Sequence, residues 1–226
     1  MFSKKTFEFL AQLDQNNNRD WFNDHKSQYE EYVREPALDF IRQMQAPLAE
    51  VSSHFVASDK KVGGSLMRIH KDARFSKDKT PYKINVGIQF RHFMGKDVHA
   101  PGFYFHLAND ECFVGAGIWR PESKALNAIR TCIDENPNSY KKAIYDEQFK
   151  SIFEMSGESL KRPPRGFEKE HPLIDELKRK DFIAISPLTQ KQICSNNLVD
   201  TVVGRVDLWW VNFQQCVWFL GKAEPI

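Results

Sequence analysis

Three short segments in the middle of the chain constrain its fold more than any other feature: NVGIQFRHF (85–93), GFYFHLA (102–108) and CFVGAGIW (112–119). Each is rich in aromatic or β-branched residues, the composition of a strand. In the second, Phe103, Phe105 and Leu107 alternate with Tyr104 and His106, the two-residue period of a half-buried strand. Only Asn109, Asp110 and Glu111 separate the last two segments, a hairpin-length link. The segments therefore read as consecutive antiparallel strands. Upstream, LMRIHKDARF (66–75) alternates too. Met67, Ile69, Ala73 and Phe75 share one parity, and Arg68, His70, Asp72 and Arg74 the other. It reads as a further half-buried strand, with SKDKTP (76–81) as the turn after it.

Helical spacing brackets this region. Phe2, Phe7, Leu10 and Leu13 predict a first helix with Ser3 as N-cap. NNNRD (16–20) breaks it, and Asn17 or Asn18 caps a second helix from about Arg19. Phe22, Tyr29, Tyr32 and Val33 form its stripe. Pro36 interrupts or restarts it, because proline lacks a backbone donor, and Leu38, Ile41, Met44, Leu48 and Val51 continue the period. A helix from Pro121 carries Leu126, Ile129 and Ile133 and stops at Asn136-Pro137, with short helices through Phe153. Residues 156–172 form a loop rich in Gly, Pro and charge, LIDELKRK a turn or two of helix, and DFIAIS a strand. After Ser195-Asn196 a long helix carries Val199, Val202, Val206, Trp209, Trp210, Phe213, Val217 and Leu220, with Gly221 as its C′ residue. The expected architecture is a single α+β domain over residues 1–226, with a central antiparallel sheet and helices mainly on one face.

The 41% hydrophobic content, with eighteen Phe, supplies bulk for a core and argues against disorder. A net charge of +2 does not by itself imply nucleic acid. Cys112, Cys132, Cys194 and Cys216 form no C-x-x-C pair and read as reduced. The N-terminus has no apolar run suited to a signal peptide, and no window approaches a membrane span. The expected location is the cytoplasm, without membrane association; the oligomeric state is not legible.

The charge is unevenly placed. RIHKDARFSKDKTPYK (68–83) holds six cations, Arg68, Lys71, Arg74, Lys77, Lys79 and Lys83, against Asp72 and Asp78. On a regular strand Arg68, His70, Asp72 and Arg74 project to one side. Such a face is either the wet side of an antiparallel sheet or a site for an anion such as a phosphate, a carboxylate or a nucleic acid backbone. A second candidate joins FYFHL to GAGIW. Glycine inside a strand marks close approach of a ligand or of packed side chains. Gly115 and Gly117 either floor a depression walled by Tyr104, His106, Trp119 and Arg120, or make room for a packed aromatic ring. His70, His106 and Asp72 are the candidates for acid–base chemistry if they converge. GAGIWR is no dinucleotide fingerprint, since Arg120 stands at the third glycine position. No histidine pair has metal-ligand spacing, so no metal site is expected, and no cofactor is legible. Arg19 with Trp21, and the basic KRPPRG loop (161–166), read as a helix cap with packed rings and as a solvated connector; recognition surfaces are the alternative.

NNNRDWFNDHKSQYEEY, GGSLMRI, RFSKDKTPYK, PGFYFHL, GAGIWRPE and HPLIDELKRKDF, in this order, resemble the family called domain of unknown function 2461 over nearly the whole chain. Lys71 and Ala73 depart from it where the family often has Arg and Thr. The resemblance implies one α+β domain, mostly bacterial and fungal, with no assigned activity. Arg68, Asp72, Arg74, Lys77, Asp78, Lys79, Tyr82 and Lys83 fall in its most distinctive segment. Three functions follow as expectations: binding of a phosphate-bearing or other anionic small molecule, an enzyme acting on one with a histidine proton carrier, or a domain docking an acidic protein or nucleic acid.

Overall fold

The computed structural model describes residues 1–72, 74, 76–93 and 101–218, the side chains of the last helix as far as Phe213. The expectations for Ala73, Phe75, His99, Leu220 and Gly221, and for the Cys216 and Val217 side chains, lie outside the described residues.

Helix α1 (Lys4–Gln15) starts after Ser3, whose backbone N–H donates to Thr6 Oγ1 (3.2 Å). Asn18 caps α2 (Arg19–Asp24) by accepting from the Trp21 N–H (3.0 Å). The short α3 (Lys26–Tyr29) runs into a single π-turn (Glu30–Arg34) and then α4 (Glu35–Val51). The disturbance expected at Pro36 is thus a widened turn just before it. Pro36 has no N–H to offer the Tyr32 carbonyl four residues back. The buried Thr6 hydroxyl donates to that carbonyl instead (2.7 Å). Thr6→Val keeps the shape and removes the donor, and is expected to cost about 1–3 kcal/mol in urea denaturation. An unchanged midpoint would show that this bond carries no stability.

The sheet has six antiparallel strands in the order β1-β2-β3-β4-β6-β5. They are β1 (Phe55–Val56), β2 (Val86–His92), β3 (Gly102–Leu107), β4 (Cys112–Ile118), β5 (Glu154–Ser156) and β6 (Phe182–Pro187). Between β4 and β5 come α5 (Ser123–Glu135), α6 (Pro137–Ile144) and α7 (Glu147–Ile152). Then follow α8 (Ile174–Leu177), and after β6, α9 (Gln190–Ile193) and α10 (Leu198–Trp218). The fold is α+β, as expected.

The strand expected over 66–75 is a correction. Leu66 bridges Ile88 and His70 bridges Tyr82, and no regular strand forms between them. The chain runs along the β2 edge as an irregular arm, with Met67 N–H donating to Gly87 O (2.9 Å) and Lys83 N–H to Ile69 O (2.8 Å). The Lys71 N–H still donates across the arm to the Pro81 carbonyl (2.9 Å), and beyond it side chains take backbone donors that a ladder would use. Asp72 accepts from the Arg74 N–H, Ser76 from Asp78 and Asp78 from Thr80. Asn17 clamps the return of the arm through both Tyr82 backbone groups (3.0 and 3.1 Å), and Phe22 stacks on the Tyr82 ring.

Phe103, Phe105 and Leu107 face the helices. Phe105 is fully buried against Phe2 and Phe40, and Trp209 of α10 meets Phe103 edge-on at 5.5 Å. Val202, Val206, Trp209, Trp210 and Phe213 are all buried, so α10 is a core helix. Arg205 fastens it to β6 by donating to the Ser186 and Pro187 carbonyls (3.1 and 2.7 Å). Among the described residues, Cys112, Cys132 and Cys194 form no disulfide. Among the described residues no helix is long and apolar enough to cross a membrane.

Candidate functional site

The other face of the sheet carries the functional candidates. Strand register sets Gly87, Gln89 and Arg91 of β2 beside His106, Tyr104 and Gly102 of β3; Gly117 and Gly115 of β4 follow, then Ile183 and Ile185 of β6. A cleft of about 380 Å³ lies over this face. Gly102, Gly115 and Gly117 form its floor, and Met67, Gln89, Tyr104, Phe113 and Trp119 are among its walls.

The glycines are there for different reasons. At Gly87 a Cβ would stand 2.7 Å from the Tyr104 hydroxyl oxygen, so this glycine does make room for an aromatic ring. At Gly117 φ is +125°, and a Cβ would fall on the Phe182 carbonyl. Gly115 is unlike both. A Cβ there would meet the Phe113 ring at 3.6 Å and Tyr104 at 3.7 and 3.8 Å, ordinary contacts, so neither packing nor backbone forbids a side chain. At Gly115 a ring, that of Phe113, does pack close, but at a distance that would also admit a Cβ.

Tyr104 and Trp119 line the depression, as expected of them. His106 stands behind the wall. It shares a 3.0 Å hydrogen bond between Nδ1 and the Tyr104 hydroxyl, and its ring stacks on Phe113 at 4.8 Å. Burial pushes the Tyr104 phenol up to about 12, against a hydrogen bond from Asn85, and lowers the His106 pKa. The pair is neutral near pH 7. Arg120 lies over the Trp119 ring (4.9 Å), with φ +48° and its backbone N–H held by the buried Asp181 carboxylate (2.7 Å).

The basic segment divides once its geometry is known. Arg74 is gripped by both oxygens of Asp72 (2.9 and 2.7 Å), and Lys71 is paired with Asp78. Their guanidinium and ammonium hold both carboxylates below the usual range; the Asp72 pKa is lowered to about 2. Lys79 reaches the Arg74 carbonyl (3.5 Å), and Lys77 is exposed. Arg68 and Lys83 are different, because among the described residues no carboxylate pairs with either. Partial burial, then the nearby Arg68 charge, lowers the Lys83 pKa. The shared face expected for Arg68, His70, Asp72 and Arg74 is corrected accordingly. Asp72 is turned to Arg74, and the exposed His70 lies against the Tyr82 ring at a tilt (5.2 Å). The structure shows no contact joining His70 or Asp72 to His106. Among the described residues no three His, Cys, Asp or Glu side chains group as metal ligands.

Two residues of the cleft region escape the sequence reading: Gln89 and Arg91. Arg91 Nε donates to Gln89 Oε1 (3.1 Å). The signal for them is parity, since both share the β2 face of Gly87 opposite the glycine-bearing strands.

Fold and cleft together define an α+β protein with a glycine-floored hollow on the side of its sheet away from the aromatic core. The chain matches the family of conserved hypothetical proteins DUF2461 over residues 5–209, and it belongs to that family. No curated protein and no solved structure matches it.

Proposed function

We propose that this protein binds a small organic anion, whose apolar part occupies the cleft on the open side of the sheet. The observation that carries the reading is Gly115, a glycine that packing does not require, at the floor of a hollow walled by Met67, Phe113 and Trp119. Ligand pockets are hollows of this kind, mostly apolar with a few placed polar groups. The sign of the ligand follows from the cations around this face. Arg91 neighbours Gly102 in the register and Arg68 adjoins Met67, whereas Arg120, over the Trp119 ring, is itself paired with Glu158 (3.8 Å). The paired state of Arg74 and Lys71 shifts the weight of the anion reading from the tip of the basic arm to its base. The neutral Tyr104–His106 pair bounds the hollow, and nothing in its surroundings favours proton transfer over a structural hydrogen bond.

The test is a fluorescence titration with the uncharged probe N-phenyl-1-naphthylamine. Saturable binding at one site per chain is expected, with loss of that signal in Gly115→Leu. The variant should keep its denaturation midpoint to within about 1 kcal/mol, since its Cβ meets only ordinary contacts and the rest of the side chain enters the cleft. Probe binding that survives Gly115→Leu, or never occurs in the natural protein, would overturn the reading.

A further inference from the structure

We infer that the ligand of this cleft is a monocarboxylate, its carboxylate held by Arg91 and its body laid over Gly115; this rests on the cleft reading above. The starting point is the Gln89–Arg91 pair. Gln89 is 8% exposed and lines the cleft. An arginine Nε only donates, so the Gln89 oxygen must be the atom facing it, which fixes the orientation of the amide. The Gln89 NH2 is then left with two donors and, among the described residues, no acceptor. Gln89 lines the cleft, so its NH2 is open to an acceptor on whatever occupies that hollow.

Arg91 is half-buried and in a matching condition. Its Nε is engaged by Gln89, and among the described residues its two Nη groups bond to nothing and no carboxylate pairs with it. Fixing Nε orients the guanidinium fork. The free end of that fork presents two parallel N–H donors, the pattern that matches the two oxygens of a carboxylate. Arg91 stands opposite Gly102, a residue of the cleft lining, and its guanidinium is held beside Gln89, another, which places Arg91 at the rim of the hollow.

Charge sets the choice among anions. Gln89 is neutral and Arg91 supplies one positive charge, which balances a monoanion. A phosphate monoester carries close to two negative charges and would leave one uncompensated in a half-buried place. Arg68 and Lys83 of the basic arm, with which no carboxylate pairs among the described residues, are the better match for a dianion. The walls are aromatic and aliphatic, so the rest of the ligand is an apolar ring system or short chain. The Gln89 NH2 adds one requirement, an acceptor oxygen close to the carboxylate or one of its own oxygens.

The inference is tested by displacing N-phenyl-1-naphthylamine with three ligands of one shape: 1-naphthoate, 1-naphthamide and 1-naphthyl phosphate. Naphthoate is expected to bind about tenfold or more tightly than naphthamide, and also more tightly than the phosphate. Arg91→Gln should remove the advantage over naphthamide while leaving the affinity for the uncharged probe unchanged, which shows that the variant is folded and its cleft intact. Equal affinity for naphthoate and naphthamide, a preference for the phosphate, or a naphthoate advantage that survives Arg91→Gln would each overturn the carboxylate assignment. In those cases the cleft reading stands, provided that the uncharged probe binds and Gly115→Leu abolishes it. If the uncharged probe fails to bind the natural protein, both fall together.

Discussion

Gly117→Ala is expected to destabilise the protein by about 3 kcal/mol or more, whereas Gly115→Ala, two residues earlier on the same strand, should change stability by less than about 1 kcal/mol. The difference is local. Gly117 has φ +125°, a backbone conformation that L side chains rarely adopt, and a Cβ would stand well inside contact distance of the carbonyl oxygen of Phe182 on the paired strand. Relief requires pulling β6 away from β4 in the middle of the sheet. Gly115 has neither problem. Urea denaturation of the two variants side by side measures the contrast. Equal, small effects would mean that the β4–β6 pairing yields easily at this point, and equal, large ones that the space above Gly115 is not open.

Phe105→Ala is expected to cost about 3–5 kcal/mol. Phe105 is fully buried on the central strand β3, stacks on Phe2 at 5.8 Å and meets the tilted Phe40 ring at 4.8 Å. It thereby joins the N-terminal residues, α4 and the sheet. Whole-domain stabilities are about 5–15 kcal/mol, so the loss is a large share of what holds the fold together. A shift in the denaturation midpoint of less than about 1 kcal/mol would place the weight of the core elsewhere, at the contact of α10 with β4 and β3.

Much of this architecture is legible in the sequence because burial imprints a period on it. The alternation in GFYFHL gives β3 and its two faces, and the stripe from Val202 to Phe213 gives a core helix. Where burial is replaced by other forces the pattern misleads. Residues 66–75 alternate as a strand does, but Asp72, Ser76 and Asp78 satisfy the backbone there. β1 and β5, two and three residues long, are too short to show any period. The site was half visible. Glycines on one parity of a strand mark the floor, and Tyr104 and Trp119 its walls. Which glycine is spare, and which cation is unpaired, depends on partners remote in the chain. Arg74 and Arg68 look alike in the segment RIHKDAR; only the placement of Asp72 separates them. Gln89 and Arg91 sit in an ordinary amphipathic strand and become notable only once their hydrogen bond leaves donors over.

The short outer strands have a consequence for behaviour in a crowded solution. A long, flat, unpaired strand at the rim of a sheet is a template on which other chains can add and aggregate. Here one rim ends in the three residues of β5. The other offers the two residues of β1, an excursion over 57–64, and then an arm bent by its own side chains and studded with charge. Among the described residues neither rim presents a run of regular backbone long enough to recruit a neighbour, a shape that works against sideways growth of the sheet.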